Sequence, residues 1–441
     1  MAILWLFAFL FLLWQYADIL YLHPLDWAGI NDRYTSLLIA ASLWSGLAFC
    51  LSLAAFPLIL TLFHGFFFLF PILFVLWEYF RSLAFSVIAL GPGSSLGDIW
   101  PFGFLGMSAH TSGGLLWFAP YMGDYGFTLF IALVNLIIFY LLFGTLPIHK
   151  KIRLGALALL IAFLGVIEWM PFPQVPPAHS GKSLSIIALH ENNPARLRYT
   201  DEYYMEVLPQ RLATLEEALS KHPDTKIVVF SENSQFLKTL RARASFTPEA
   251  IAKLLWKDNV PRLVIDGDYE YGRRASVARA SSNTGEEFFV YKDILMPLGE
   301  YQPYILKWAA QMLGQESFYD TLVREKNTLG VRDGAKTIRT PLGNIAIVAC
   351  SEIFSPAVYE QVRAEAPDII VQQQRLAHFH DSPKLFYQTL ALSQMRAAAL
   401  RTFIVGSVDG RGFSYAISPY GEVIARSNDE DSYLYAEIPL Y

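Results

Sequence analysis

The stretch GNIAIVACSEIFSP, residues 343–356, decides the fold of the second half of this chain. Asn344–Ala349 is a short apolar run rich in β-branched residues, and Pro341 and Gly343 bound it, a pattern that predicts a buried strand. A helical spacing of apolar residues begins shortly after Cys350. The thiol is therefore predicted to lie in a turn between a strand and a helix.

Cys350 is a candidate nucleophile because of that position. Free backbone N–H groups and the positive end of a helix dipole favour the thiolate, which is the reactive form. The same N–H groups could stabilise an oxyanion when the thiolate attacks a carbonyl. The alternative is that Cys350 is a small buried hydrophobic residue, as most lone cysteines are.

The composition predicts that part of the chain lies in lipid. Of its 441 residues, 54% are hydrophobic and 17% are charged, whereas soluble domains carry about 25% charged residues. The net charge of −5 and the absence of a basic stripe argue against a nucleic-acid partner. Cys50 lies in an apolar stretch and Cys350 in the polar half, so no disulfide is expected. With no zinc-type spacing either, we expect no metal and no cofactor.

Residues 1–170 are predicted to form a transmembrane domain of about five helices. The run 37–77 contains no Asp, Glu, Lys or Arg and is about twice as long as one bilayer crossing requires, so it is read as two spans broken near residues 57–65. The other three predicted spans are Met1–Leu22, Tyr125–Gly144 and Ile152–Trp169.

The connection 144–154 carries one histidine and three basic residues, which predicts that it is cytoplasmic. An odd number of spans then places everything after Trp169 outside the cytoplasm. Residues 171–182 are rich in proline and are predicted to be a stiff linker. Glu78 and Arg81, at the end of the third span, are expected to form an interfacial ion pair.

Residues 183–441 alternate apolar runs with helical patterns, which predicts one mixed α/β domain. Three of its predicted strands end in Glu232, Lys292 and Cys350. The carboxyl ends of strands are where sites assemble in α/β sheets. We therefore expect Glu232 to act as general base, Cys350 to attack a carbonyl and Lys292 to stabilise the oxyanion. For Glu232 and Lys292 taken singly, a surface salt bridge is the alternative.

The order strand–Glu, Tyr-Lys, strand–Cys-x-Glu resembles that of the nitrilase, or carbon-nitrogen hydrolase, superfamily. The segment Tyr291–Pro303, together with Glu78-Tyr-Phe-Arg81 and Ala119–Gly126, resembles the apolipoprotein N-acyltransferases more narrowly. The resemblance implies a multi-span helical membrane domain followed by an αββα sandwich on the periplasmic side of a bacterial inner membrane. Under it, Glu300 and Glu352 are supporting carboxylates.

The reaction that the resemblance implies is a ping-pong transfer. An acyl chain passes from a phospholipid to Cys350 as a thioester, and then to an amine, the N-terminus of a lipoprotein. The chain departs from the family in lacking a span after the catalytic domain and in the residues at 351, 372–380 and 396–399. Two alternatives therefore stay open. One is a membrane-anchored amidase that uses water as acceptor, and the other is an envelope or conjugation factor with a catalytically inactive nitrilase domain.

Overall fold

A computed structural model describes most of the chain. The described residues are 2–25, 30, 32–97, 99–143, 150–175, 183–193, 206–242, 251, 253–255, 260–270, 275–282, 285–312, 314, 316, 319–320, 334–380, 382–428 and 432–440. The sequence also predicts a helix near residues 248–257, and most of it lies outside the described residues. The first part of the basic connection, 144–149, and the end of the linker, 176–182, lie outside them too.

The described part of the first 170 residues is mostly helical, as the composition predicts. Four helical segments are long and apolar enough to cross a membrane, which is consistent with a membrane protein: Arg33–Leu53, Phe67–Ile88, Ala119–Phe143 and Lys150–Trp169. The predicted first span, Met1–Leu22, instead contains the apolar helix Ala2–Gln15, which is shorter than these four, and the 3₁₀ turn Ala17–Leu22. We number the helices α1 (Ala2–Gln15), α2 (Arg33–Leu53), α3 (Phe56–Phe63), α4 (Phe70–Ile88), α5 (Gly113–Leu116), α6 (Ala119–Phe143) and α7 (Lys150–Trp169).

Two details of this region differ from the prediction. The break expected near 57–65 contains the short helix α3, because Pro57 lies in its first turn, where a missing N–H costs nothing. Helix α6 begins at Ala119, ahead of the predicted Tyr125, and is kinked at Gly123, whose φ of 58° interrupts the regular geometry.

The rest of the chain contains twelve described strands that form two sheets joined along one edge. Strands β5-β4-β3-β2-β1 continue into β9-β8-β7-β6, while β12 pairs with β1 and β10 pairs with β9 and β11. The strands are β1 (Ser183–Glu191), β2 (Ile227–Val229), β3 (Leu263–Glu270), β4 (Ala275–Ser282), β5 (Glu287–Tyr291), β6 (Thr337–Thr340), β7 (Gly343–Ala349), β8 (Ile369–Arg375), β9 (Phe403–Asp409), β10 (Tyr415–Ile417), β11 (Val423–Arg426) and β12 (Tyr433–Pro439).

The two sheets pack face to face, and helices cover their outer faces. Ile186, Val229 and Ile265 of one sheet share a buried core with Ile347 and Val371 of the other. The outer helices are α8 (Leu208–Lys221) and α9 (Phe236–Ala242) on the first sheet, and α11 (Pro356–Glu365) and α12 (Pro383–Leu400) on the second, while α10 (Tyr304–Met312) follows the loop after β5. This arrangement confirms the predicted fold, a nitrilase-type αββα sandwich behind a helical membrane domain.

Direct contacts hold the sandwich against the membrane helices. Arg396 of α12 donates two hydrogen bonds, of 2.8 and 2.6 Å, to the carboxylate of Asp124 in α6, and both side chains are buried. On the other side, the Tyr301 hydroxyl donates to the Ala89 carbonyl at 2.7 Å, and the Tyr304 N–H donates to the Leu90 carbonyl. These contacts join the sandwich to α6 and to the end of α4.

Glu78 and Arg81 do not form the interfacial ion pair expected from their spacing. Both side chains are buried, and each makes hydrogen bonds to its own two partners. Glu78 accepts hydrogen bonds from the Leu105 N–H and the Thr128 hydroxyl, both at 2.6 Å. Arg81 donates to the Phe102 carbonyl at 2.9 Å and to the side-chain oxygen of Gln15 at 2.7 Å. Glu78 and Arg81 therefore anchor the loop after α4 to helices α1, α4 and α6.

Candidate active site

The candidate nucleophile lies in a strained turn directly after β7. Cys350 has a φ of 41°, in the left-handed region that few residues other than glycine adopt. It begins the 3₁₀ turn Cys350–Phe354, and the Glu352 carboxylate accepts the Ala349 N–H at 2.9 Å, which closes the turn. The Cys350 Sγ lies 3.9 Å from the Arg375 carbonyl oxygen, at the end of the neighbouring strand β8. The fold thus presents the thiol at the carboxyl edge of the sheet, as predicted.

Lys292 joins two of the predicted carboxylates. Its Nζ lies 2.8 Å from Glu232 Oε1 and 2.9 Å from Glu300 Oε1, and its side chain is 2% exposed. The second oxygen of Glu300 accepts the Met296 N–H at 2.7 Å. Although burial lowers the pKa of Lys292, the carboxylates of Glu232 and Glu300 outweigh it and hold that pKa well above its usual value. Lys292 is therefore a fixed cation beside the thiol.

The electrostatics oppose one expectation about the thiol. Burial raises the pKa of Cys350 far above its usual value, the Glu232 carboxylate raises it further, and Lys292 lowers it less than these two raise it. These effects favour the thiol and oppose the helix-dipole argument, which favours the thiolate. The turn after Cys350 is a short 3₁₀ segment, so the dipole behind the thiol is small. Glu232 lines the same cavity as Cys350.

Lys336 belongs to this site, although the sequence analysis did not identify it. Its Nζ lies 2.5 Å from Glu352 Oε1 and 2.9 Å from Asp293 Oδ2, and it donates to the Tyr291 carbonyl at 2.7 Å. The side chain has no exposed surface. Glu352 also accepts the Asp293 N–H at 2.7 Å. Lys336 and Glu352 thus connect the turn that carries Cys350 to the residues on both sides of Lys292.

A lone lysine before a short polar strand gives little signal in a sequence. Lys336 precedes β6, whose residues Thr337–Thr340 contain a single apolar side chain, so neither the strand nor its lysine stood out. Only the fold reveals that Lys336 faces Glu352 across the ends of two strands.

Several residues at which the chain departs from the resembling family are structural. Ser351 donates to the Ile294 carbonyl at 2.5 Å, which ties the nucleophile turn to the loop after Lys292. Gln373 donates to the Phe230 carbonyl at 2.7 Å, close to the strand end that carries Glu232. Gln372 is buried in a network with the hydroxyls of Tyr359, Tyr415 and Ser393. The side chain of His378 lies outside the described residues.

A largely apolar cavity of about 440 Å³ connects the site to the membrane helices. Its lining includes Glu232, Lys292, Glu300, Cys350 and Arg375. The lining also includes residues of α1, of the segment that follows it, of α2 and of the Met296–Ala309 segment. Within the described residues, no cluster of three or more His, Cys, Asp or Glu side chains could hold a metal ion.

Comparisons with known proteins give one family match. Residues 308–441 match the family model of the carbon-nitrogen hydrolases. The matched part includes Cys350 and Glu352 but begins after Glu232, Lys292 and Glu300. A comparison with curated proteins gives no match.

Solved structures of the nitrilase superfamily are structural neighbours of this chain. Saccharomyces cerevisiae Nit3, of branch 10 of that superfamily, is 14% identical, with 58% of this chain and 90% of that chain covered and a TM-score of 0.41. The carbon-nitrogen hydrolase from Helicobacter pylori G27 is 17% identical, with coverages of 58% and 89% and a TM-score of 0.42. A mutant of the Nesterenkonia AN1 amidase is 12% identical, with coverages of 60% and 92% and a TM-score of 0.39.

Proposed function

We propose that this carbon-nitrogen hydrolase domain works as a membrane-bound N-acyltransferase. The fatty acyl chain comes from a phospholipid, passes through a Cys350 thioester, and ends on an amine, for which the resemblance to apolipoprotein N-acyltransferases suggests a lipoprotein N-terminus. The observation that carries the proposal is the apolar cavity, since it joins Cys350 to the membrane helices α1 and α2. A small soluble amide would not need an apolar path to the bilayer.

The chemistry follows from the positions of three side chains. Glu232 takes the proton from the thiol while Sγ attacks the ester carbonyl of the phospholipid, and the resulting oxyanion is stabilised by Lys292. Collapse breaks the ester bond, and Glu232 returns the proton to the leaving glycerol oxygen, which releases a lysophospholipid. The acceptor amine then attacks the thioester and gives a proton to Glu232. Expulsion of the thiolate, which recovers that proton, leaves an amide.

The supporting residues hold this arrangement. Glu300 shares Lys292 with Glu232, so the ammonium is fixed between two carboxylates. Glu352 has no direct contact with Lys292; it closes the nucleophile turn and pairs with Lys336. We assign Glu300 and Glu352 to positioning, as the resemblance implies.

The proposed setting is a bacterial inner membrane with the sandwich on the periplasmic side. Residues 1–170 form the membrane domain, residues 171–182 the linker and residues 183–441 the catalytic domain. The basic residues Lys150, Lys151 and Arg153 at the start of α7 support this orientation, because such residues remain in the cytoplasm. A reporter fused after Tyr441 should be active only outside the cytoplasm, and activity inside it would reverse the topology.

The second candidate is a membrane-anchored amidase, and the match to the carbon-nitrogen hydrolase family favours it. The two functions share Glu232, Lys292 and Cys350 and differ in what attacks the thioester. In a transferase an added amine discharges the thioester faster than water does. In a hydrolase, water alone discharges the thioester, and small amides react without any need for the apolar cavity.

Filling the cavity separates the two functions. Gly46 of α2 lines the cavity, and a Cβ added there meets no atom within 4 Å, so Gly46→Leu should fold normally while narrowing the apolar path. We expect acylation of Cys350 by a long-chain phospholipid to slow at least tenfold, with no change for a short aryl acetate. Gly155→Leu on α7 is the matched control, because a Cβ there also meets no atom within 4 Å and Gly155 does not line the cavity. Equal phospholipid rates in the two variants would contradict the proposal.

A further inference from the structure

Arg375 is a buried cation with unused hydrogen-bonding capacity. Its side chain is 7% exposed, and its Nε lies 3.6 Å from Asp409 Oδ2, which is an ion-pair contact beyond hydrogen-bond distance. The Nε has no hydrogen-bond partner. Within the described part of the chain, none of the five N–H donors of this guanidinium makes a hydrogen bond. Buried polar groups are normally satisfied, so this one calls for an explanation.

Other buried arginines of the chain make hydrogen bonds through their Nη atoms, although the Nε of Arg396, like that of Arg375, has no hydrogen-bond partner. Arg81 donates to a carbonyl and a side-chain amide, and Arg262 donates to three carbonyls. Arg211 is paired with a carboxylate and donates to a carbonyl, and both Nη atoms of Arg396 donate to one carboxylate. Arg375 is different. Asp409 lies close enough to balance part of its charge, but the Nη N–H groups of Arg375 have no hydrogen-bond acceptor among the described residues.

Asp409 does not use this guanidinium fully. One of its carboxylate oxygens accepts the backbone N–H of Asn193 at 2.8 Å and the side-chain amide of the same residue at 3.1 Å. Only the other oxygen faces Arg375, at 3.6 Å. Asp409 therefore balances part of the charge of Arg375 and leaves the two Nη atoms open.

Arg375 lines the same cavity as the nucleophile. Its carbonyl oxygen lies 3.9 Å from the Cys350 Sγ, so its side chain starts beside the reacting atom. Among the described lining residues the other cation is Lys292, which is bonded to Glu232 and Glu300. Within this lining, Arg375 is thus the cation with donors available to a substrate.

We propose that Arg375 binds the phosphodiester of the phospholipid acyl donor, an inference that rests on the proposed transferase function. A guanidinium presents paired N–H groups that match two oxygens of a phosphate. Other candidate ligands do not match a guanidinium. The acyl tail is apolar, the acceptor amine carries a positive charge before it reacts, and a simple amide is neutral. An anion held beside Cys350 would direct the ester carbonyl of the donor towards the thiol.

The first test compares donors with and without a phosphate. In Arg375→Gln, the KM for acylation of Cys350 by a phosphatidyl donor should rise roughly 10- to 100-fold, since a hydrogen bond to a charged group is lost. The KM for a neutral aryl ester should rise much less than the KM for the phosphatidyl donor. The KM of Arg375→Lys should lie between those of wild type and Arg375→Gln, because lysine keeps the charge but cannot donate two parallel hydrogen bonds to a phosphate. Arg363→Gln, which removes the same charge from an exposed position, should behave as wild type.

The second test does not depend on acyl transfer. Glycerophosphoglycerol, a phosphodiester without acyl chains, should protect Cys350 of the full-length protein in detergent from iodoacetamide, and Arg375→Gln should abolish that protection. If phospholipid never acylates Cys350 and this protection is still seen, the transferase proposal fails while the phosphate site stands. Equal protection of wild type and Arg375→Gln, or no protection of either, would overturn the site. Protection by succinate alone would overturn the assignment to phosphate.

A purely structural role for Arg375 predicts a different pattern. If Arg375 only balances the charge of Asp409, the double variant Arg375→Gln/Asp409→Asn should regain phosphodiester protection, because the unpaired carboxylate is gone. Binding of the anion by Arg375 predicts that the double variant stays unprotected. Recovery in the double variant would overturn the proposal.

Discussion

Lys336→Met should destabilise the sandwich strongly, because it removes one partner of a buried ion pair. The lysine has no exposed surface, its Nζ lies 2.5 Å from Glu352 Oε1, and Glu352 is 1% exposed. Removing the lysine leaves the Glu352 carboxylate buried and uncompensated, which costs about 3–5 kcal/mol in comparable sites. In a domain of this size, 1 kcal/mol corresponds to about 2–4 °C in Tm, so the expected loss is on the order of 10 °C.

Lys221→Met is the matched control for this prediction. Its Nζ lies 2.6 Å from Glu217 Oε1, nearly the same distance, but both side chains are more than half exposed. Solvent screens such a pair, which contributes about 0–1 kcal/mol, so its Tm should barely move. Both variants are measured by thermal unfolding of the full-length protein in detergent.

A double variant separates charge from packing. Adding Glu352→Gln to Lys336→Met removes the unpaired carboxylate, so the double variant should be more stable than Lys336→Met alone. The coupling between contacting residues is typically about 0.5–3 kcal/mol. If Lys336→Met unfolds within 2 °C of Lys221→Met, or if Glu352→Gln adds its full cost to that of Lys336→Met, the reasoning about this pair is wrong.

Three further predictions follow from the site and its contact with the membrane helices. Glu232→Gln should keep the fold but slow acylation of Cys350 by roughly 10²–10⁴-fold, measured by rapid-quench mass spectrometry, and a variant at full rate would remove Glu232 from the mechanism. Because the pKa of Cys350 is raised, its alkylation by iodoacetamide should accelerate about tenfold per pH unit from pH 7 to pH 9, and a rate independent of pH would indicate a preformed thiolate. Arg396→Met should lower Tm by breaking the buried pair with Asp124, and Arg396→Met/Asp124→Asn should recover part of the loss; no recovery would mean that the pair itself does not couple the two halves.

The sequence predicted the parts of the fold that depend on long apolar runs. The membrane helices and strands β1, β2, β7 and β8 were visible because their buried faces require continuous apolar residues. Strands β4, β6 and β11 were not predicted, since their sequences, ASVARASS, TIRT and VIAR, are polar or small and obtain their pairing from neighbours in the sheet.

The site was predictable where a reactive side chain ends an apolar strand. Cys350 and Glu232 follow such strands, and Lys292 follows β5, so their order along the chain indicated a common site. Lys336 and Arg375 were not identified as site residues, because their roles depend on contacts between elements distant in sequence. Burial and the Glu232 carboxylate, which raise the pKa of Cys350, could not be read from the sequence for a similar reason, since both are properties of the folded site.

The most direct test of the account is the mass of the intact protein after incubation with a phospholipid and no amine. Cys350 is a free thiol in the lining of the cavity, and the proposed transfer must pause there as a thioester. We predict one added fatty-acyl mass on the wild type, which hydroxylamine removes, and none on Cys350→Ser. Addition of a peptide with a diacylglyceryl-cysteine N-terminus should discharge the adduct faster than water does. Discharge by water at the same rate would establish a hydrolase, and absence of any adduct would contradict the central claim that Cys350 carries the acyl chain.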